Sequence, residues 1–150
     1  LGRAGTEGNS GICAAKITLA KKPVLRASPY AGMMFNGAGR PIDANGYSNT
    51  LTASMGGSRT PIIDEDEIFE GKTSWIKTMH DALRNGDSIT NFTVPPSLRR
   101  ITIQEAAMIQ TFPDNYKFAG PQSAIYKQIG NAVPCELAYV VASSLSEYLR

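Results

Sequence analysis

The chain is 150 residues long, 42% hydrophobic and 19% charged, a balance that suits one compact domain or a small domain plus an extension and is globular rather than disordered. A net charge of +2 does not by itself mark a nucleic-acid binder, and no apolar run approaches the roughly 20 residues of a membrane span. Cys13 and Cys135 lie far apart in no ligand pattern, which argues against a disulfide scaffold or a zinc site and suits a reducing cytoplasm.

Residues 1–11, rich in Gly with Thr, Asn and Ser, read as a flexible lead-in. Ile12 to Leu25 is expected to hold a strand ended by Pro23 or by Ser28-Pro29. Lys16, Lys21, Lys22, Arg26 and Arg40 lie in the first third of the chain with no acid between Lys16 and Asp43, a segment able to neutralise phosphates or simply to face solvent. Tyr30 to Gly46, with Gly32, Gly37, Gly39 and Gly46, reads as turns and close backbone approach. Tyr47–Ala53 and Thr60–Ile63 are strand candidates flanking Gly56-Gly57, a hairpin-like turn signal. After the acidic run Asp64–Glu67, Thr73 or Ser74 can cap a helix that ends at Asn85 and Gly86, with Trp75, Met79 and Leu83 along one face. Thr102-Ile103-Gln104-Glu105 is a capping box, and its helix should stop before Pro113. A last helix is expected from Asn131–Pro134, with Leu137, Val141, Leu145 and Leu149 as its buried stripe. His80, alone on its helix, is expected at the surface.

Two motifs carry a resemblance. The run from Arg99-Arg100-Ile101-Thr102 through Gln104-Glu105-Ala106-Ala107 to Gln110-Thr111-Phe112-Pro113-Asp114 resembles the ninth conserved block of DNA (cytosine-5) methyltransferases. Tyr126-Lys127-Gln128-Ile129-Gly130-Asn131-Ala132-Val133-Pro134 resembles their tenth block. The two are correctly ordered and are followed by a terminal helix. Upstream, Gly46 to Ala53 resembles the Thr-Leu signature of the family's variable target-recognition region, and Asn36-Gly37-Ala38-Gly39-Arg40 its first glycine-rich recognition loop. The chain departs from the family at Gln104 and Met108, where Arg is usual, and at Ala38, where Gln is common. Ala38 cannot fill the space a flipped base leaves.

The resemblance implies a mixed α/β chain. Residues 12–98 would form an irregular, strand-containing target-recognition domain. Residues 99–125 would hold the ninth-block helix and a connector, and 126–150 the tenth block and a C-terminal helix. The helices would return to a Rossmann-like, S-adenosylmethionine-dependent methyltransferase domain not present in this chain. Arg40 would read guanine in the major groove of double-stranded DNA, and Thr50 would bond a phosphate beside the extruded cytosine. Thr52 and Ser54 would approach base edges or backbone, while Gly56 and Gly57 let the main chain come close to DNA. Asn131 and Ala132 would complete the S-adenosylmethionine pocket, with Gly130 allowing the turn. Arg99 would organise the recognition region against the ninth-block helix, and Glu105 would serve as a cap.

No catalytic or metal-binding residue is expected in the chain. The family's chemistry needs a Cys nucleophile on a Pro-Cys loop, a Glu-Asn-Val segment and a Gly-rich cofactor loop. Pro134-Cys135 lies inside the tenth block at a helix start and reads as structural, Cys13 reads as a small packed residue, and Gly37-Ala38-Gly39 lacks a strand-turn-helix setting. The expectation is therefore a fragment or subunit of a cytoplasmic prokaryotic enzyme of a restriction-modification type. Its partners would be duplex DNA and a catalytic half, with no membrane, and alone it would be inactive. The alternative is a non-catalytic DNA-binding or partner-binding module left from such an enzyme.

Overall fold

A computed structural model describes residues 1–149. Its strands form two small antiparallel ladders. β1 (Leu19–Val24) pairs with β2 (Met33–Phe35) through Leu19 opposite Phe35 and Val24 opposite Met33. The register shifts between those two pairs, where Pro23 has no N–H to offer the ladder. β3 (Ile62–Asp64) pairs with β4 (Leu98–Arg100), Ile62 opposite Arg100 and Asp64 opposite Leu98. β4 straddles the boundary expected at residue 98.

The β3–β4 ladder divides the core by its period-two alternation. Ile62 and Leu98 face a cluster with Tyr30, Met34, Phe35, Ile76 and Met79. Ile63 faces the opposite cluster of Cys13, Leu51, Met55, Ile101, Ala106, Tyr126 and Ile129. Cys13 is thus a packed core residue. Tyr126 spans the second cluster and donates its hydroxyl to the Ile101 carbonyl at 2.7 Å.

Helix starts follow local side-chain chemistry. Asp64, at the end of β3, serves two helices with one carboxylate: Oδ1 accepts from Asp66 N in α1 (Glu65–Glu70) and Oδ2 from Trp75 N in α2 (Trp75–Arg84). Ser74, the expected cap of α2, makes no side-chain cap bond, because Asp64 already occupies that role. Gly86, at φ 102°, closes the end of α2. The capping box of α3 (Ile103–Ile109) is complete, with Glu105 N donating to Thr102 Oγ1 at 3.1 Å and Thr102 N donating to Glu105 Oε2 at 2.9 Å. Arg99 grips the same carboxylate with two bonds of 2.7 and 2.8 Å and donates from Nε to Glu65 at 2.6 Å. One arginine so ties α1 to α3.

Several sequence expectations are corrected. Tyr47–Ala53 holds no strand, and Gly56-Gly57 turns no hairpin: the partner of β3 is β4, and the other neighbour of this segment is residues 39–42. Residues 12–18 belong to no strand; side chains hold part of their backbone, with Gln122 Nε2 donating to Ile12 O at 2.7 Å and Arg100 Nε to Ala15 O at 3.0 Å, while Asn36 N donates to Thr18 O at 2.8 Å. His80 is buried, 1% exposed, beneath the Arg26 carbonyl, which lies 2.9 Å from its Nε2. A further helix, α4 (Gln122–Asn131), carries the first half of the tenth block. Gly130 therefore makes no turn; it lies inside a helix. α5 (Cys135–Tyr148) buries none of its residues, and Leu137, Val141, Leu145 and Leu149 are 50–88% exposed. The stripe faces away from the chain's own core, which agrees with the expectation that this helix packs on a domain outside the chain and leaves its apolar face exposed without it. Among the described residues no helix is long and apolar enough to cross a membrane.

Candidate nucleic-acid interface

Three segments build one polar cleft. The glycine-rich loop lies along residues 58–62, with Gly39 N donating to Ser58 O at 3.1 Å and Ile62 N donating to Arg40 O at 3.0 Å. A side chain at Gly37 would strike Ser58, and one at Gly39 would strike the Thr60 carbonyl and approach Arg100 Nη1 to 2.7 Å. The glycines thus let two backbones touch, and this presents Ala38 and Arg40 outward. Behind them Arg100, 1% exposed, donates to Thr60 O at 2.5 Å. Burial holds its guanidinium below the ordinary arginine value, and among the described residues no carboxylate pairs with it.

The cleft has a volume of about 320 Å³ and is lined by Ala38, Arg40, Asn49, Thr50, Thr52, Ser54, Arg59 and Pro61. Four residues expected to contact DNA, namely Arg40, Thr50, Thr52 and Ser54, therefore meet on one surface. No lining residue is acidic. Among the described residues the Arg40 guanidinium has neither an ion-pair nor a hydrogen-bond partner, which leaves all five donors free. Thr52 and Ser54 share a hydroxyl–hydroxyl bond of 3.0 Å, and Arg59 Nη1 donates to Ser54 Oγ at 3.4 Å.

Gly56 and Gly57 lie outside this lining. Gly56, at φ 103°, packs toward Ser123 and Tyr126 of α4, and Gly57 opens on free space. Lys21, Lys22 and Arg26 are exposed, away from the cleft lining. Two features of the cleft escaped sequence reasoning. Arg59 belongs to no motif; its only signal is a cation placed just after the Gly56-Gly57-Ser58 turn. The pairing of the glycine loop with residues 58–62 is non-local and has no local signature.

The tenth block touches the cleft from behind. A Cβ on Gly130 would run into the Thr52 carbonyl and come within 2.6 Å of Ala53 N, so the Thr52–Ala53 backbone rests directly on α4. The ninth block locks the break between α4 and α5. Gln110 Nε2 donates to Ile129 O at 3.0 Å and to Ala132 O at 3.2 Å. Its carbonyl accepts from Cys135 N at 3.1 Å, and Thr111 Oγ1 accepts from Glu136 N at 2.9 Å. Thr111 holds the left-handed φ of 56° that aims this hydroxyl. Cys135 is a half-buried helix-start residue at this junction. Asn131 ends α4, exposed, and Ala132 is its C-cap, so Asn131 does not cap α5.

The family model described as C-5 cytosine-specific DNA methylase matches residues 6–147. The chain belongs to that family. Among curated relatives of this chain, the type II methyltransferase M.Eco47II of Escherichia coli is 53% identical over 55 residues, 37% of the chain and 13% of the relative. The type II methyltransferase M.Sau96I of Staphylococcus aureus is 49% identical over 56 residues, 37% of the chain and 13% of the relative. A DNA (cytosine-5)-methyltransferase 1B of Oryza sativa subsp. japonica is 49% identical over 53 residues, 35% of the chain and 4% of the relative. The methylase chain thus aligns with only a small part of each relative's length. No solved structure matches it.

Proposed function

We propose that this chain is the target-recognition and C-terminal part of a DNA (cytosine-5) methyltransferase, which selects a duplex site so that an extruded cytosine is methylated. The observation that carries the reading is the acid-free cleft joining Arg40, Thr50, Thr52 and Ser54, seated on the tenth block through Gly130. Arg40, with its donors unspent, reads guanine O6 and N7. Thr50 holds the backbone phosphate beside the extruded nucleotide, and Thr52 and Ser54 line the approach. Gly57, open on its outer side, permits a close pass of the main chain, whereas Gly56 serves contact with α4.

The fit to S-adenosylmethionine is one-sided. Asn131 presents an exposed amide with no hydrogen bond among the described residues, and Ala132 is half-buried with its carbonyl taken by Gln110. Asn131 would hold the cofactor by its side chain, and Ala132 would supply an apolar wall. The bound cofactor supplies an electrophilic methyl group. The nucleophilic Cys comes from a catalytic half, on which the exposed apolar residues of α5 pack. The relatives' type II names support a prokaryotic, cytoplasmic restriction-modification setting.

The test is selection of the natural full-length protein on a randomised duplex pool, coupled to transfer of labelled methyl groups. An enriched site that becomes labelled at cytosine supports the reading; an unenriched pool with no label ends it. Enrichment without label, with no Pro-Cys loop or Glu-Asn-Val segment encoded nearby, favours the non-catalytic module. On the enriched site, Arg40→Ala should cut discrimination against a scrambled duplex by about 5- to 150-fold, the loss of ~1–3 kcal/mol expected for one bidentate contact. Unchanged discrimination would remove Arg40 as the reader. Cys135→Ser should leave labelling intact, because this thiol sits at a helix start; abolished labelling would make it the nucleophile.

A further inference from the structure

We infer that Arg59 is a second DNA-contacting residue, one that holds a backbone phosphate rather than reading a base. The inference rests on the DNA-recognition reading above. Arg59 lines the same cleft as Arg40, and no carboxylate reaches either guanidinium among the described residues. Two unneutralised cations around one cavity repel each other and attract an anion. The buried Arg100, behind the cleft wall at Thr60, adds a third positive charge with no counter-ion among the described residues.

The backbone under Arg59 is fixed. Thr60, fully buried, donates its N–H to Gly57 O at 3.0 Å, and its hydroxyl accepts from Gly56 N at 2.9 Å. Its carbonyl accepts from Arg100 Nη1. Arg59 thus stands next to a residue pinned at three points, which confines the ordering cost of binding to its side chain. Its Nη1 leans on Ser54 Oγ, which in turn meets Thr52 Oγ1, so the guanidinium continues a row of hydroxyls. An Arg beside Ser and Thr hydroxyls is the donor set that positions phosphate oxygens. Arg40 stands apart with no such anchor. The two arginines therefore divide the work: Arg59 sets where the strand lies, and Arg40 reads its sequence.

The test uses the natural full-length protein, the duplex enriched from the randomised pool and a scrambled duplex, with binding measured by fluorescence anisotropy over a salt series. Arg59→Ala should weaken both duplexes by the same factor and lower the slope of log K against log salt by about 0.9, one phosphate contact's share. Arg59→Lys should restore the slope, and Arg40→Ala should lose discrimination instead. An unchanged slope in Arg59→Ala, or a loss confined to the enriched duplex, would overturn the phosphate role while leaving the DNA reading in place. Failure of the parent protein to enrich any duplex would overturn both. Matching thermal midpoints of parent and Arg59→Ala confirm that the exposed side chain is removed without unfolding.

Discussion

Glu105→Ala should destabilise the chain by about 3 kcal/mol, near the lower end of the cost of breaking a buried ion pair from one side. The Glu105 carboxylate accepts from Arg99 Nη1 and Nη2, from Thr102 N at 2.9 Å and from Asn9 Nδ2 at 3.1 Å, with 10% of its side chain exposed. Ala removes the side-chain half of the α3 capping box and leaves Arg99, 14% exposed, with Glu65 as its one carboxylate among the described residues. That remaining partner is why the upper end of the range is not expected. Glu105→Gln keeps an acceptor for Thr102 and should lose about half as much. Urea unfolding followed by circular dichroism measures both; an Ala variant within ~0.5 kcal/mol of the parent would mean that Glu65 alone satisfies Arg99.

The same carboxylate sets an acid limit. Burial alone would raise the pKa of Glu105, but the hydrogen bonds from Arg99, Thr102 and Asn9 outweigh it and hold the group below the ordinary value of 4.5. A group whose folded value is depressed contributes stability that is fully present above its unfolded value and lost as pH falls through the folded one. The parent should therefore lose stability progressively below about pH 4.5, and Glu105→Gln should show a flatter acid limb.

What could be read from sequence was what is local. The Thr102–Glu105 box and the α2 end at Asn85-Gly86 are set by residues within four positions of one another, and both stand as expected. Tyr47–Ala53 has strand composition but no strand, since β3 found β4 more than thirty residues away. The acidic run Asp64–Glu67 carries no structural signal in the sequence, yet Asp64 is 2% exposed and caps two helices. Composition cannot show that, because the second helix starts at Trp75. The residues of the cleft were legible only through resemblance, and Arg59, which no motif includes, was not legible at all. The α5 stripe was read correctly as apolar, but periodicity does not say which surface a stripe meets.

Gly130→Ala should expose the link between the tenth block and the polar cleft. From helix propensity alone the change ought to stabilise α4, since Gly costs about 1 kcal/mol relative to Ala in a helix. The structure sets the opposite sign. The new Cβ meets the Thr52 carbonyl and the Ala53 amide, which are backbone and cannot rotate away. Either α4 or the Thr52–Ala53 segment must shift, at the ~1–3 kcal/mol typical of overpacking. Thr52 lines the cleft, so the shift reaches the row of Thr52, Ser54 and Arg59. We expect a lowered thermal midpoint and at least tenfold weaker binding of the enriched duplex, about 1.4 kcal/mol. Gly57→Ala is the control: a Cβ there has nothing within 4 Å, and stability should be unchanged to within about 0.5 kcal/mol. A Gly130→Ala protein that is more stable than the parent and binds as well would show that α4 and the cleft are mechanically independent. The coupled outcome would make the tenth block the seat that sets the cleft's shape, so that the proposed DNA contacts and the proposed cofactor contact at Asn131 share one helix.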